Sequence, residues 1–233
     1  TELTLVYALR ARDLLRTLEG PQKMFWRPDR VICEYVLDGV TIREDKFIAL
    51  NDVACSIIKA SEEIEIQFEG HSYVSESHSL ERTSTVRYDA AQNLIHVREG
   101  GTVLTSPVQG VEVEGALIYD GMSTVISTSA DFADYDSFRD NGGRQQYAFK
   151  VPCGPEGVTL CWAMHDTFTD ARDRVNDVLQ DPEGQLAAKT AYMDDLLTTQ
   201  IPYFRCSDPD IVNIYYYLWA IYLMYYIDVG EGW

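Results

Sequence analysis

EIEIQFEG, residues 63–70, decides the first question the sequence poses. Ile64, Ile66 and Phe68 fall on one face of an extended chain, and Glu63, Glu65 and Gln67 fall on the other. Successive side chains of a strand point to opposite sides, so this alternation predicts a β-strand with one buried face. The same grammar extends outward. RVICEYVLDGVTI (30–42) and KFIALNDVACSIIKA (46–60) are apolar runs broken by Asp-Gly and Asn-Asp, which are turn signals. STVRYDAAQNLIHVREGGTVL (84–104) reads as strand, polar turn, strand, Gly-Gly turn and third strand. YAFKVPCGPEGVTLCWAM (147–164) reads as a hairpin, with Val158, Leu160, Trp162 and Met164 alternating against Thr159, Cys161 and Ala163. Strands recur about every ten residues with no helix between them, which predicts antiparallel sheets packed as a sandwich. Near the start, LVYALRARDLLRTL (5–18) reads as one short helix ahead of the sheets.

The bulk numbers agree with a globular chain and exclude some partners. Of 233 residues, 46% are apolar and 24% charged, enough apolar matter for a core. The formal net charge is −18, a field that repels nucleic acid and anionic membranes and suits a neutral or cationic ligand. The five cysteines, Cys33, Cys55, Cys153, Cys161 and Cys206, are odd in number, widely spaced and without a CxxC. They form neither a disulfide framework nor a zinc pattern, and all five read as small buried hydrophobes. TELTLVYALRARDLL at the start lacks the order of a signal peptide. The chain does not begin with Met, so the compartment stays open: cytoplasmic, or periplasmic or secreted after loss of an upstream leader.

After about residue 170 the period changes. Asp181 is a good N-cap, Pro182 suits the first helical position, and Glu183 favours the helix dipole. Leu186, Met193 and Leu197 then repeat at helical spacing up to about Thr199. Pro202 breaks this helix; Ser207 is read as the next cap, with Pro209 early in the helix and Asp210 three past the cap. The helix is expected to run over 208–229 and to stop near Gly230. From Ile214 to Ile227 it has fourteen apolar residues without interruption, six of the helix's residues being tyrosines. Such a run is shorter than the roughly 18 or more residues a membrane span needs. A helix apolar on every side is buried on every side, so other protein mass is expected to cover 208–229. That mass is either further chain beyond Trp233 or a second chain.

Residues 190–224, TAYMDDLLTTQIPYFRCSDPDIVNIYYYLWAIYLM, carry a resemblance. They are similar to the junction where a β-sandwich passes into the (α/α)6 barrel of six-hairpin glycosidases. The likeness is strongest to bacterial α-glucosidases related to the oligosaccharide-processing glucosidases, with trehalases and mannosylglycerate hydrolases as cousins. The α-L-rhamnosidases carry a similar CSDP helix start. The match in sequence is confined to about residues 190–225, while the order of elements matches along the whole chain.

The resemblance implies a mainly β chain: an antiparallel, supersandwich-like β-sandwich (residues 1–175), a linker helix and connecting segment (176–206), and the first helix of an (α/α)6 barrel (207–233). It implies part of a glycoside hydrolase acting on α-linked sugars by an inverting two-carboxylate mechanism. The catalytic pair would lie in the barrel beyond this chain, so no residue here inherits a catalytic role. The rival expectation is a non-catalytic carbohydrate-binding or adhesion sandwich that docks a partner through its last helix.

Asp228, Glu231 and Trp233 follow a helix end in a Gly-rich stretch and are the candidate sugar-binding residues, as binders and not as catalysts. Trp162 and Trp219 read as core residues before they read as sugar platforms. Asp131, Asp134, Asp136 and Asp140 could offer oxygens to calcium, but their spacing is not that of an EF-hand and a solvated loop is the simpler reading. No other metal and no cofactor is implied. His71 and His78, seven apart, fall on opposite faces if extended, and Asp194-Asp195 reads as a solvated helix face. The sequence contains no GxSxG, P-loop or GxGxxG.

Overall fold

The structure is a computed structural model and describes residues 6–11, 14–17, 21–71, 80–103, 117–119, 122–139 and 145–224. Its strands are β1 (Val6–Ala11), β2 (Leu14–Thr17), β3 (Lys23–Trp26), β4 (Val31–Leu37), β5 (Val40–Ile48), β6 (Ala54–Ala60) and β7 (Ile64–His71). They continue as β8 (Leu80–Asp89), β9 (Leu94–Val103), β10 (Leu117–Tyr119), β11 (Ser123–Thr128), β12 (Asp134–Arg139), β13 (Gln145–Cys153) and β14 (Val158–His165). Three helices follow: α1 (Phe168–Gln180), α2 (Pro182–Asp195), which runs into a π-turn over Leu196–Gln200, and α3 (Pro209–Met224).

The strands make two antiparallel sheets. The smaller has the order β12-β13-β7-β1-β2. The larger has the order β10-β9-β11-β14-β6-β5-β4-β3, with β8 also paired to β9. Between them lies a core in which Phe68 and Phe149 stack at 5.2 Å and Phe132 meets Phe149 at 4.4 Å. Ile66 and Phe68, from the alternating stretch 63–70, are buried there. The chain is therefore an antiparallel β-sandwich followed by helices, as its periodicity predicts.

A second core lies on the other side of the larger sheet. Ala171, Val175 and Val178 of α1, with Leu186 of α2, cover Phe47, Val53, Cys55, Leu94, Val125, Cys161 and Ala163. This explains why β11 is buried at every position and why β14 is buried on alternate faces alike. A sheet covered on both faces needs strands that are apolar or small throughout. Trp162 belongs to the inter-sheet face, as its alternation predicts, but is only half-buried at the margin of that core.

Several local expectations fail for physical reasons. Within 5–18, the described residues 6–11 and 14–17 are strands and not a helix: β1 and β2 pair with each other, and Leu9 of β1 pairs Ile66 of β7. Ladder bonds to β7 outweigh helix propensity in a segment whose apolar pattern fits either period. The stretch 147–164 is not a hairpin. β13 pairs β7 and β12 in the smaller sheet, whereas β14 pairs β11 and β6 in the larger. The turn closed by Gly157 N–H on Gly154 O, 3.0 Å, thus carries the chain from one sheet to the other. The Gly100-Gly101 pair makes no turn, because β9 runs straight through it and pairs Thr83 and Arg82 of β8. Cys206 is exposed, unlike the other four cysteines.

Turn and cap chemistry elsewhere follows the sequence. Asp38 and Gly39, with φ 49° and 89°, make the two-residue connection of the β4–β5 hairpin. Asp181 caps α2 through its Oδ1, which accepts from Gly184 N at 3.0 Å, and Pro182 stands in the first turn. The cap of α3 is Asp208, not Ser207: its Oδ1 accepts from Asp210 N at 2.9 Å, one residue ahead of Pro209. Helix α1, which the sequence reading above leaves out, is capped by Thr167, whose Oγ1 accepts from Asp170 N at 3.1 Å.

Candidate functional site

Asp228, Glu231 and Trp233 lie outside the described residues, as do Asp140 and His78. The remaining candidates do not converge. Asp134 and Asp136 stand exposed on β12, an edge strand, and Asp134 pairs with Lys150 at 2.6 Å. Among the described residues no three His, Cys, Asp or Glu side chains come together in the manner of a metal set. His71 ends β7, and Asp194-Asp195 sits on the exposed side of α2.

Two carboxylates are buried in the described chain, and both are fully engaged. Glu44 of β5 accepts from Tyr35 Oη at 3.0 Å and Ser56 Oγ at 2.8 Å, with Lys46 Nζ at 3.1 Å. Burial and the neighbouring Glu44 carboxylate push the Tyr35 phenol well above its ordinary value. Asp29 accepts from Arg27 Nε at 2.9 Å and Thr190 Oγ1 at 2.7 Å. Burial alone would raise the Asp29 carboxyl; the hydrogen bonds from Thr190 and Arg27 outweigh it and hold it below the usual range. The Thr190 bond spans 161 residues and latches α2 onto the entrance of β4. Neither acid is free to move a proton at a substrate; both are structural.

Beside this latch, a cleft of about 200 Å³ lies between β5, β6 and the first turns of α2. Arg30, Arg43, Lys59, Asp45 and Glu183 line it. Its cations already face its anions: Lys59–Glu183 at 2.9 Å, Arg43–Asp45 at 2.8 Å and Arg30–Asp45 at 3.4 Å. It is an ion-pair seam between helix and sheet, with little charge left over for a ligand.

A third polar group gathers at the start of α1. His96 Nε2 lies 3.2 Å from Ser123 Oγ, which also accepts from Arg98 at 3.3 Å. His165 Nδ1 lies 3.4 Å from Asp170, and the Phe168 ring lies 4.6 Å from that of His96. Burial, then Arg98 and Arg87, hold the His96 imidazole below its ordinary value. Ser123 has no exposed surface, so this is not a nucleophile within reach of a substrate.

The surface that stands out is apolar. Along α3, Ile211, Ile214, Leu218 and Tyr222 are exposed at a spacing of three or four, and Tyr217 beside them is also exposed. Tyr217 meets Trp26 of β3 edge-on, ring centroids 4.9 Å apart. All four residues of β3, the end strand of the larger sheet, are exposed, Met24 at 66% and Phe25 at 52%. Residues 201–204 occupy another side of α3. Tyr215 Oη donates to Pro202 O at 2.7 Å, Tyr216 Oη accepts from Phe204 N at 3.3 Å, and the Phe204 and Tyr215 rings lie 4.8 Å apart. This is where two of the tyrosine hydroxyls find partners. Trp219 is half-buried and meets Tyr222 edge-on, and Ala220 is buried. Among the described residues, no helix is long and apolar enough to cross a membrane.

The contribution of Trp26 and Phe25 is absent from the sequence reading. The signal was present: MFW between Pro21 and Pro28 is an apolar run bounded by prolines, the pattern of an edge strand.

No protein-family model and no curated protein matches the chain. Among solved structures it is similar to one described as "Putative kojibiose phosphorylase from human microbiome", with 10% identity and a TM-score of 0.46. The likeness covers 80% of this chain and 26% of that one, so this chain spans about a quarter of its length. At that identity and score, nothing of that protein's activity transfers to this chain.

Proposed function

We propose that this chain is the sandwich portion and first barrel helix of a glycoside hydrolase acting on α-linked sugars. The activity is α-glucosidase-like and inverting, with both catalytic carboxylates on residues beyond Trp233. The observation that carries the reading is the uncovered apolar face of α3 beside β3. Exposed apolar patches of more than a few hundred Å² mark surfaces meant to be covered. The sequence stretch over 190–224 resembles the place where glycosidases of this kind pass from sandwich to helical barrel. In this reading the partner of α3 is the rest of the barrel. Asp228, Glu231 and Trp233 approach the sugar as binding residues. Inverting hydrolysis needs an acid and a base about 6.5–9.5 Å apart across the scissile bond. The two buried acids described above are engaged in structural bonds, which agrees with placing the reacting pair elsewhere.

The test compares the full gene product with residues 1–233 on aryl α-glucosides, following the anomer released by NMR. The full product is expected to turn substrate over with inversion, and residues 1–233 alone to show no turnover. Turnover by residues 1–233 that is lost on mutating an acid within them would overturn the division of labour. A full product that binds sugars without hydrolysing any would establish the binding-module alternative instead.

A further inference from the structure

Cys55 of β6 and Cys161 of β14 are directly opposed in register, with their sulfurs 3.4 Å apart. Opposed residues of antiparallel strands have Cα separations of about 4.5–5.5 Å, inside the range a disulfide accepts. Bonding needs the sulfurs to close by roughly 1.4 Å, which small side-chain rotations can supply. Both thiols face the helical side of the sheet, beneath Ala171, Val175 and Val178 of α1. Cys33 and Cys153 pack in the inter-sheet core, on the opposite face of the larger sheet. Cys206 is exposed ahead of α3. Geometry therefore allows the Cys55–Cys161 pair and separates it from the buried alternatives.

We propose that Cys55 and Cys161 are a covalent modification site, closing to a cross-strand disulfide when the chain folds in the presence of a small-molecule disulfide. The thiolate of one cysteine attacks the small disulfide, forming a mixed disulfide and releasing one small thiol. The thiolate of the other attacks the protein sulfur of that mixed disulfide, the Cys55–Cys161 bond forms, and a second small thiol leaves. Two protein thiols are oxidised, one small disulfide is reduced to two thiols, and each attacking thiol gives up its proton to solvent.

Timing follows from burial. Cys161 has no exposed surface and Cys55 almost none, so a mixed disulfide cannot sit beneath α1. The first exchange precedes the docking of α1, and the bond records the redox state in which the chain folded. Once packed, the pair is closed to solutes by α1, and the hydrogen bond to Cys55 and burial both hold the Cys161 thiol well above its ordinary range. This proposal is independent of the glycosidase reading.

The full chain is unfolded, reduced, and refolded in parallel in reduced glutathione alone and in a mixture rich in glutathione disulfide. Free thiols are then capped and the protein is digested for peptide mapping. The oxidising arm is expected to give linked Cys55 and Cys161 peptides and free Cys33 and Cys153. The bond closes a loop between positions 106 apart. A melting temperature higher by about 10 °C, reversed by reductant after unfolding, is the expected size of the effect. Cys55→Ser should lose both the link and the shift, and Cys206→Ser should keep both. If the unfolded chain aggregates, translation in the same two mixtures replaces refolding. Free Cys55 and Cys161 in folded protein from the oxidising arm, or either one linked to Cys33 or Cys153, would overturn the proposal.

Discussion

Gly70→Ala should destabilise the sandwich far more than a single methyl suggests. Gly70 of β7 pairs in register with Tyr147 of β13, and the Tyr147 ring lies over the glycine. A Cβ at Gly70 would meet Tyr147 Cε2 at 2.7 Å and would lie closer still to Cζ and Oη. Ordinary contact begins near 3.4 Å, so the ring or the strand must give by about an ångström. Tyr147 is 2% exposed and packs in the core that holds Phe68 and Phe149. If the ring stays, overpacking costs about 1–3 kcal/mol. If it is expelled, the loss approaches the roughly 3–5 kcal/mol typical of emptying a buried aromatic site. Alanine returns about 0.5–1 kcal/mol of backbone entropy relative to glycine. The expected net loss is about 2–3 kcal/mol, or a melting temperature lower by roughly 5–10 °C for a domain of this size.

Urea unfolding followed by far-ultraviolet circular dichroism reads this directly, provided the slope is unchanged. Tyr147→Leu in the Gly70→Ala background should recover part of the loss, giving a coupling of about 1 kcal/mol or more in the double-mutant cycle. A loss below about 0.5 kcal/mol, or strict additivity in the cycle, would refute the close approach of ring and glycine.

Three further outcomes are expected. Trp162→Ala should cost roughly 2–3 kcal/mol, below the range for a fully enclosed aromatic, because the ring is half-buried; no change in melting temperature would show that the ring does not pack on the inter-sheet core. His96 is held below its ordinary value by burial, then by Arg98 and Arg87. The unfolded chain therefore takes up the proton first as pH falls below about 6.5, and stability drops through that window; His96→Gln should flatten the stability–pH curve there, and an unaltered slope would contradict it. In the protein of residues 1–233, the exposed face of α3 should bind a hydrophobic dye, and Ile214→Glu with Leu218→Glu should abolish most of that signal; a dye-silent, monodisperse protein would contradict the exposure of that face.

Some of this architecture was legible in the sequence and some was not. The Asp38-Gly39 turn, the alternation in 63–70 and the Asp181-Pro182 helix start work through local chemistry, and each stands where its residues put it. The β13–β14 turn misled because a tight Gly-Pro-containing turn serves a hairpin and a sheet-to-sheet crossing equally; only the partners, β7 for one and β11 with β6 for the other, decide between them. Helix α1 was within reach, since Thr167, Ala171, Val175 and Val178 spell a cap and an apolar stripe. Strand spacing carried past it hid that signal. The juxtaposition of Cys55 with Cys161 depends on register between strands 106 positions apart, which periodicity does not encode. The latch from Asp29 to Thr190 is hidden for the same reason.

Asp181 ends one helix and begins the next: its own N–H returns to Val178 O at 3.2 Å, while its carboxylate receives Gly184 N–H. With no linker between them, α1 and α2 meet at a rigid elbow. One arm is riveted to the sheet by the second core and the other is pinned at Thr190. The segment from Leu196 onward therefore leaves from a fixed bearing rather than from a swivel. The direction in which the chain reaches Gln200 is thus set at Asp181, before residues 201–208 lead without helix into α3. A glycine inserted after Asp181 would part its carboxylate from Gly184 N–H and displace Leu186 and Thr190 together, so the cap of α2, its share of the second core and the latch to Asp29 would all loosen at once.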